Sequence, residues 1–336
     1  MATFVFYCND KKSHIETFEY YKQDIEALEA LGHQVIVCTK YREIPKQFDA
    51  IFVWWWTYAF WPVLLCRLKG KPCIITGVFN FALPAAIGGG GHAARPLWQR
   101  ALINFATRFC TLNLFIDEAE LASCSAFFKL DNARLYPCGI NSDYLQGPGA
   151  TRELALFNLA WSGTGNLIRK GIPELLQATK LLMEQGVPLH LYLGGPRGDG
   201  TEGLLESIKD LGLRECVTWL GPLERDKKIE LLRTNEIYVQ PSHHEGFGLA
   251  TAEAMGCGAA IVTCDVGAVR SVVGDCGVYV TPGSPESLAE GIKRVLTDVE
   301  LRQRLQREGM QRARTVFAPE KKRELLQRYL AEVGIR

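Results

Sequence analysis

The stretch Pro241–Ala260, PSHHEGFGLATAEAMGCGAA, decides how this chain is read. It follows Ile237-Tyr238-Val239, whose residues are β-branched or aromatic and bounded by Pro-Ser, the pattern of a buried parallel strand. Gly246 and Gly248 then permit a tight turn and a close approach of backbone to ligand. Leu249 to Met255 is expected to be helical, with its N-terminus facing the same space. Backbone N–H groups and the positive end of the helix dipole gather there, which favours an anion such as a phosphate. Two carboxylates, Glu245 and Glu253, bracket the turn. Beside a phosphate they are repulsive unless they have another task, and accepting hydrogen bonds from sugar hydroxyls is one. The plainer alternative is the strand-turn-helix of any Rossmann-like domain with two solvated acids.

Glu, seven residues, Glu, wrapped around Gly-Phe-Gly and followed by Ala-Met-Gly-Cys-Gly, resembles the donor-site motif of glycosyltransferase family 4, retaining enzymes with a GT-B fold. The strand before it and VTCDVGAVRSVVGDCGVYV after it extend the resemblance over roughly Trp161 to Leu296. It implies that Glu253 meets the ribose hydroxyls and Glu245 the donor sugar, with Gly246, Phe247, Gly248 and Leu249 offering backbone to the diphosphate. The two carboxylates also allow a glycoside hydrolase, although hydrolysis needs no cationic phosphate site.

SGTGNLIRKG, residues 162–171, follows the first strand of the second half. Arg169 and Lys170 supply a planar fork and a point charge suited to a diphosphate over the Gly163-Thr164 turn. Lys170-Gly171 matches the family's Lys-Gly. Where the family's Arg usually stands, this chain has Thr164 and Gly165, so Arg169 is expected to substitute. A dinucleotide fingerprint fails because Ile168 occupies the place of its third glycine. The reaction implied is departure of a nucleoside diphosphate from the anomeric carbon and attack by an acceptor hydroxyl, with retention. The sequence contains no Asp-x-Asp, so stabilisation of the leaving group by protein cations, without a metal or other cofactor, is expected. A non-catalytic nucleotide-sugar-binding relative is the alternative.

The chain has 336 residues, long enough for two domains, with 47% hydrophobic and 22% charged residues. Lys plus Arg is 38 and Asp plus Glu 37, so no charge excess points to nucleic acid. The eleven cysteines show no C-x-x-C pair or zinc spacing, which suggests a reducing compartment. MATFVFYCND enters a strand at once, unlike a signal peptide, so a cytoplasmic location is expected.

Strand and helix patterns alternate through both halves. In the first half, strands are expected at 3–8, 34–38, 50–53, 72–76 and 112–116, and helices at 14–31, 56–68, 95–108 and 118–128. The second half repeats the pattern from Phe157, giving an α/β chain of two doubly wound Rossmann-like domains facing a cleft. The boundaries expected are 1–147 for an acceptor domain and 151–317 for a donor domain, with 318–336 a helix that in the GT-B fold returns to the first domain.

The first half is less explicit. The family's His after the strand 73–76 is missing; the chain there reads Gly77-Val78-Phe79-Asn80-Phe81. His92, in GGGGHAAR, and His14, near the exit of the first strand, are candidates to stand in, each also readable as a surface histidine. Gly88–Gly91 lacks a P-loop ending and is expected to be a mobile loop over acceptor. FVWWWTYAFWPVLL, residues 52–65, is too short to span a bilayer. Trp55, Trp56, Tyr58 and Trp61, followed by Arg67, Lys69 and Lys71, divide between core packing, acceptor binding and docking to a membrane that carries a lipid-linked acceptor.

Overall fold

TFVFYC, AIFVW and CIITG in the first half, and AIVTC in the second, are apolar at both parities. Such strands need cover on both faces, which a parallel sheet between helical layers supplies. The computed structural model describes residues 1–79, 81 and 91–335. Asn80, 82–90 and Arg336 lie outside them, and with them most of the Gly88–Gly91 loop and part of Gly77–Phe81. The chain forms two units, Met1–Asn141 with Phe317–Arg336, and Ser142–Val316.

The first unit contains β1 (Thr3–Cys8), α1 (Lys12–Thr17), α2 (Glu19–Ala30), β2 (Gln34–Cys38), β3 (Ala50–Trp54), α3 (Phe60–Lys69), β4 (Cys73–Gly77), α4 (Leu97–Phe109), β5 (Leu112–Phe115), α5 (Glu118–Phe128) and β6 (Ala133–Leu135). Its strands are parallel in the order β2-β1-β3-β4-β5-β6. The second runs β7 (Glu153–Leu159), α6 (Thr164–Arg169), α7 (Ile172–Glu184), β8 (Leu191–Gly194), α8 (Thr201–Asp210), β9 (Val217–Gly221), α9 (Arg225–Thr234), β10 (Asn235–Gln240), α10 (Leu249–Gly256), β11 (Ala260–Cys264), α11 (Val269–Val273), β12 (Gly277–Val280), α12 (Pro285–Thr297) and α13 (Val299–Val316). Its parallel order is β12-β11-β10-β7-β8-β9. The order in which strands are added therefore reverses between β1 and β3 in one sheet and between β7 and β10 in the other. Crevices open at the carboxyl ends of strands at such points.

The last helix, α14 (Pro319–Glu332), packs on α2 within the first unit. Lys322 Nζ lies 2.9 Å from Asp24 Oδ1, and Trp54 Nε1 donates to Asp24 Oδ2 at 2.7 Å, so a fully buried carboxylate is held from both sides. Residues 142–147, grouped above with the first half, pack in the second unit. Tyr144 is buried beneath Lys228, and Arg314 and Arg233 donate to the carbonyls of Leu145 and Gly147 at 3.1 and 3.0 Å. The helix expected over 14–31 breaks at Phe18, whose extended backbone lets its ring stack on His14 and Tyr20.

Strand alternation divides the first core. Val5, Ile51 and Val53 face α3, α4 and α5, while Phe4, Phe6, Phe52 and Trp54 face α2 and α14. Trp56, expected among the acceptor-binding residues, is a core residue: it is buried, stacks on Phe115 at 4.9 Å and donates from Nε1 to Asn113 Oδ1 at 2.8 Å. Trp56→Ala removes the ring and strands the Asn113 amide oxygen. A loss of about 3–5 kcal/mol of stability is expected, measured by urea denaturation; a loss below about 1 kcal/mol contradicts this packing.

Candidate functional site

β10 ends at Gln240, and the chain crosses the carboxyl edge of the sheet as Pro241 to Gly248 before α10 begins. Two glycines pin this loop. A Cβ on Gly171 would lie 2.1 Å from the Pro241 carbonyl oxygen, and one on Gly267 2.0 Å from that of Glu245; both have positive φ, +67° and +54°. Only glycine combines that backbone with that approach. Hydrogen bonds complete the clamp, from His243 N to Arg169 O at 2.8 Å and from Ala268 N to Glu245 O at 3.1 Å.

The clamp places Glu245 against the end of α6. Lys170 Nζ donates to Glu245 Oε1 at 2.5 Å, and Ser242 Oγ donates to the same oxygen at 2.8 Å. Behind them a buried relay runs from Tyr238 OH to Gln240 Oε1 and from Gln240 Nε2 to Ser242 Oγ, each at 2.9 Å. Glu245 is 5% exposed. Burial alone would raise its carboxyl, but the Lys170 ammonium, the Arg169 guanidinium and the Ser242 hydroxyl outweigh it and hold the group below its usual range.

Arg169 and Lys170, adjacent in sequence, take different tasks. The Arg169 guanidinium donates to His244 O at 2.9 Å and Asn166 Oδ1 at 2.7 Å, bracing the loop, and stands 3.9 Å from Glu245 Oε2. Lys170 lines a cavity of about 370 Å³ at the β7/β10 crevice, walled by Leu159, Ala160, Gly195, Pro196 and Leu223. Ala250, in the first turn of α10, also lines it, and no side chain caps that helix; Gly248 takes its N-cap with φ +92°. Phe247 is buried beneath the turn.

Glu253 is 2% exposed, and Lys228 Nζ lies 2.7 Å from its Oε2 and 5.0 Å from the centre of the Tyr144 ring. Burial disfavours the Lys228 cation, but the Glu253 charge and Tyr144 more than offset this and raise its pKa. Lys228 lines the same cavity as Lys170. Nothing in RDKK distinguishes it in the sequence: its neighbour Lys227 pairs with Glu230 in solvent, and only the fold turns residue 228 inward.

The other expected residues sit elsewhere. Gly163 caps α6, and the Thr164 N–H donates to Asp199 Oδ1 at 2.9 Å; Thr164 faces a second, more apolar cavity with Leu167 and Ile172. His243 pairs with Glu174 at 3.0 Å. His92 is buried among Phe79, Phe81, Phe127 and Phe128; burial and then the charges of Arg100 and Arg95 lower its pKa, so it is a neutral core histidine. Tyr58 is exposed. Trp55 stands at the β1/β3 crevice with φ +82°, an uncommon backbone for so large a residue. Its Nε1 donates to Tyr21 OH at 2.9 Å, Tyr21 OH donates to Asp10 Oδ2 at 3.0 Å, and His14 Nδ1 lies 2.8 Å from Asp10 Oδ1.

The ion pair at Glu245 makes stability depend on pH. Because its folded pKa lies below the unfolded value of about 4.5, its contribution is complete above that pH and disappears as the pH falls through the lowered value. Glu245→Gln should cost about 3–5 kcal/mol at neutral pH and flatten the acid limb of a stability profile measured by denaturation. An acid limb equal to that of the parent protein contradicts the assignment. Gly171→Ala should cost about 1–3 kcal/mol by forcing the clamp open, with Tm as the measure.

Comparison with known proteins places this geometry. Residues 165–312 match the family model described as glycosyl transferases group 1. The O-antigen chain mannosyltransferase B of Escherichia coli is 33% identical over 226 residues, 61% of this chain and 58% of that protein. The chain spans less than two thirds of the length of the curated relatives it matches first. Among solved structures, the sucrose-phosphate synthase of Thermosynechococcus elongatus aligns with a TM-score of 0.79 at 18% identity, over 99% of both chains. HepE from Anabaena in complex with UDP aligns with a TM-score of 0.77 at 16% identity, over 99% of this chain and 100% of that one. The Lys170–Glu245 and Lys228–Glu253 pairs thus lie within the stretch that matches the glycosyl transferases group 1 model, in a chain that has the two-unit α/β fold of the GT-B glycosyltransferases.

Proposed function

We propose that this protein is a retaining glycosyltransferase that moves a sugar from a nucleotide-sugar donor to a glycan or lipid-linked saccharide acceptor, as in polysaccharide or lipopolysaccharide assembly. The observation that carries the reading is the cavity at the β7/β10 crevice. Two lysines line it, each paired with one of the two glutamates of the sequence motif, and the first turn of α10 borders it.

Bond cleavage at the anomeric carbon leaves negative charge on the departing diphosphate, while the acceptor hydroxyl forms the new bond and gives up its proton to an oxygen of that diphosphate. Lys170 and the N-terminus of α10, which no side chain caps, stabilise that charge more as it grows than before it develops. The Lys170 ammonium and the α10 N-terminus make the leaving-group assistance a task of the protein, without a metal. Glu245 orients the sugar through its hydroxyls. Glu253 receives the ribose hydroxyls, with Lys228 beside it at 2.7 Å. The flat apolar walls Leu159, Ala160 and Pro196 suit the face of a base. On the acceptor side, the Trp55 ring and the Asp10–His14 pair at the β1/β3 crevice offer a stacking face and hydroxyl partners, the chemistry a saccharide requires. Because HepE is solved with UDP, uridine nucleotides are tested first.

Thermal unfolding with uridine, guanosine, adenosine and thymidine diphosphates and their sugars checks the donor site. A ligand at about a hundred times its Kd should add about 2.7 kcal/mol, with the shift lost in Lys170→Ala and Glu253→Ala. No shift with any nucleotide, or unchanged shifts in both variants, overturns the site. Turnover of the bound donor, with the anomeric configuration of the product read by NMR, tests transfer and retention.

A further inference from the structure

From residue 50 to residue 116 the chain contains no Asp or Glu, yet it carries Arg67, Lys69, Lys71, Arg95, Arg100 and Arg108, in a protein whose net charge is only +1. Helices α3 and α4 lie within this span and pack side by side on one face of the first sheet. Val63 and Cys66 of α3, and Ile103 and Ala106 of α4, turn inward. Their outer sides are apolar as well. Trp61 is 57% exposed, Leu68 79%, Leu97 79% and Trp98 65%. Trp61 and Leu68 share one face of α3 by their spacing of seven, and Trp98, Phe105 and Phe109 follow one stripe of α4. Ring contacts join the two helices: Phe60 meets Phe105 at 5.1 Å, and the Arg67 guanidinium lies 5.3 Å from the centre of Phe109.

Scattered surface hydrophobics need no explanation, but two adjacent helices that expose tryptophan and leucine among cations do. We infer that the α3/α4 face docks the protein on an anionic lipid surface. Tryptophan rings settle at the headgroup level, leucines enter the acyl boundary, and arginines lay their stems along the apolar surface while their heads meet lipid phosphates. A second copy of this chain is a poor occupant, since a two-fold interface would set Arg67, Arg100 and Arg108 against the same cations. Nucleic acid would use the cations and leave the leucines unrewarded. Lys71 is engaged elsewhere, 3.3 Å from Asp49. No helix among the described residues is long and apolar enough to cross a membrane, so attachment through this face is lateral. Trp61 and Trp98 lie in the first turns of their helices, at the edge where β3 and β4 end, so docking sets the lipid beside the acceptor edge of the sheet. The sequence placed the aromatic excess at residues 55–61; the structure moves the docking surface outward to Trp61, Leu68, Leu97 and Trp98, because Trp56 belongs to the core.

This inference uses no residue of the donor site. The test is co-sedimentation of the full chain with vesicles of phosphatidylcholine, with and without phosphatidylglycerol. The protein should sediment with the anionic vesicles, less so as salt rises from about 0.1 to 1 M, where screening shortens from about 10 to 3 Å. The double variant Trp61→Glu/Trp98→Glu should reduce vesicle partition at least about tenfold, with its Tm and its nucleotide-induced shift kept. If that variant folds poorly, Arg67→Gln/Arg100→Gln/Arg108→Gln should lose anionic selectivity from a folded protein. Parent protein that stays in solution with both vesicles overturns the proposal, as does a double variant that partitions like the parent. A dimer in size-exclusion chromatography that the double variant dissociates, without vesicle binding, assigns the face to a second copy instead. Vesicle binding without any nucleotide shift would leave this surface standing and remove the donor reading.

Discussion

The buried pair of Lys170 with Glu245 is the constraint around which the second unit is arranged. A carboxylate with so little solvent is stable as an anion only when cations and donors replace the water it has lost, and here Lys170, Arg169 and Ser242 do so together. Their positions come from three separate segments: the end of α6, the loop after β10, and the turn at Gly267. Each segment is fixed by backbone contacts that tolerate no side chain at Gly171 or Gly267. The pairing is therefore a consequence of backbone geometry as much as of charge, and it places a desolvated ammonium at the mouth of α10.

The second pair follows the same logic with a different anchor. Glu253 sits one turn into α10, where helix packing buries it; Lys228 answers from α9 and rests on the ring of Tyr144. The cavity thus has an ammonium on two sides, each held by a carboxylate. Such a site is polar enough to order a charged ligand and compact enough for its cations to act at low effective dielectric.

The first unit solves a different problem, that of four tryptophans close together. Trp54 and Trp56 are buried with their indole N–H groups satisfied by Asp24 and Asn113, Trp55 turns to the strand edge through a positive φ, and Trp61 remains outside. Asp24 in turn needs Lys322 from α14. A buried carboxylate between an indole and an ammonium therefore ties the last helix of the chain to the first sheet.

Strand positions were legible from the apolar runs at both parities, and the motif loop from its glycines and acids, because these patterns are local: they reflect pleat, turn and helix start over a few residues. The short helix α6 was not legible, since TGNLIR is brief and lacks a side-chain cap of its own. Nor was the separation of Arg169, which braces the loop, from Lys170, which faces the cavity, because adjacent residues on a helix end diverge by about 100°. Lys228 and the burial of His92 were invisible for a related reason, as each depends on what packs opposite. The amino-acid sequence determined two parallel α/β units, the loop after β10 and the types of residue that act there. Only the tertiary structure decided which cations meet which carboxylates and which aromatics face solvent, since those outcomes are set by contacts between segments far apart in the chain.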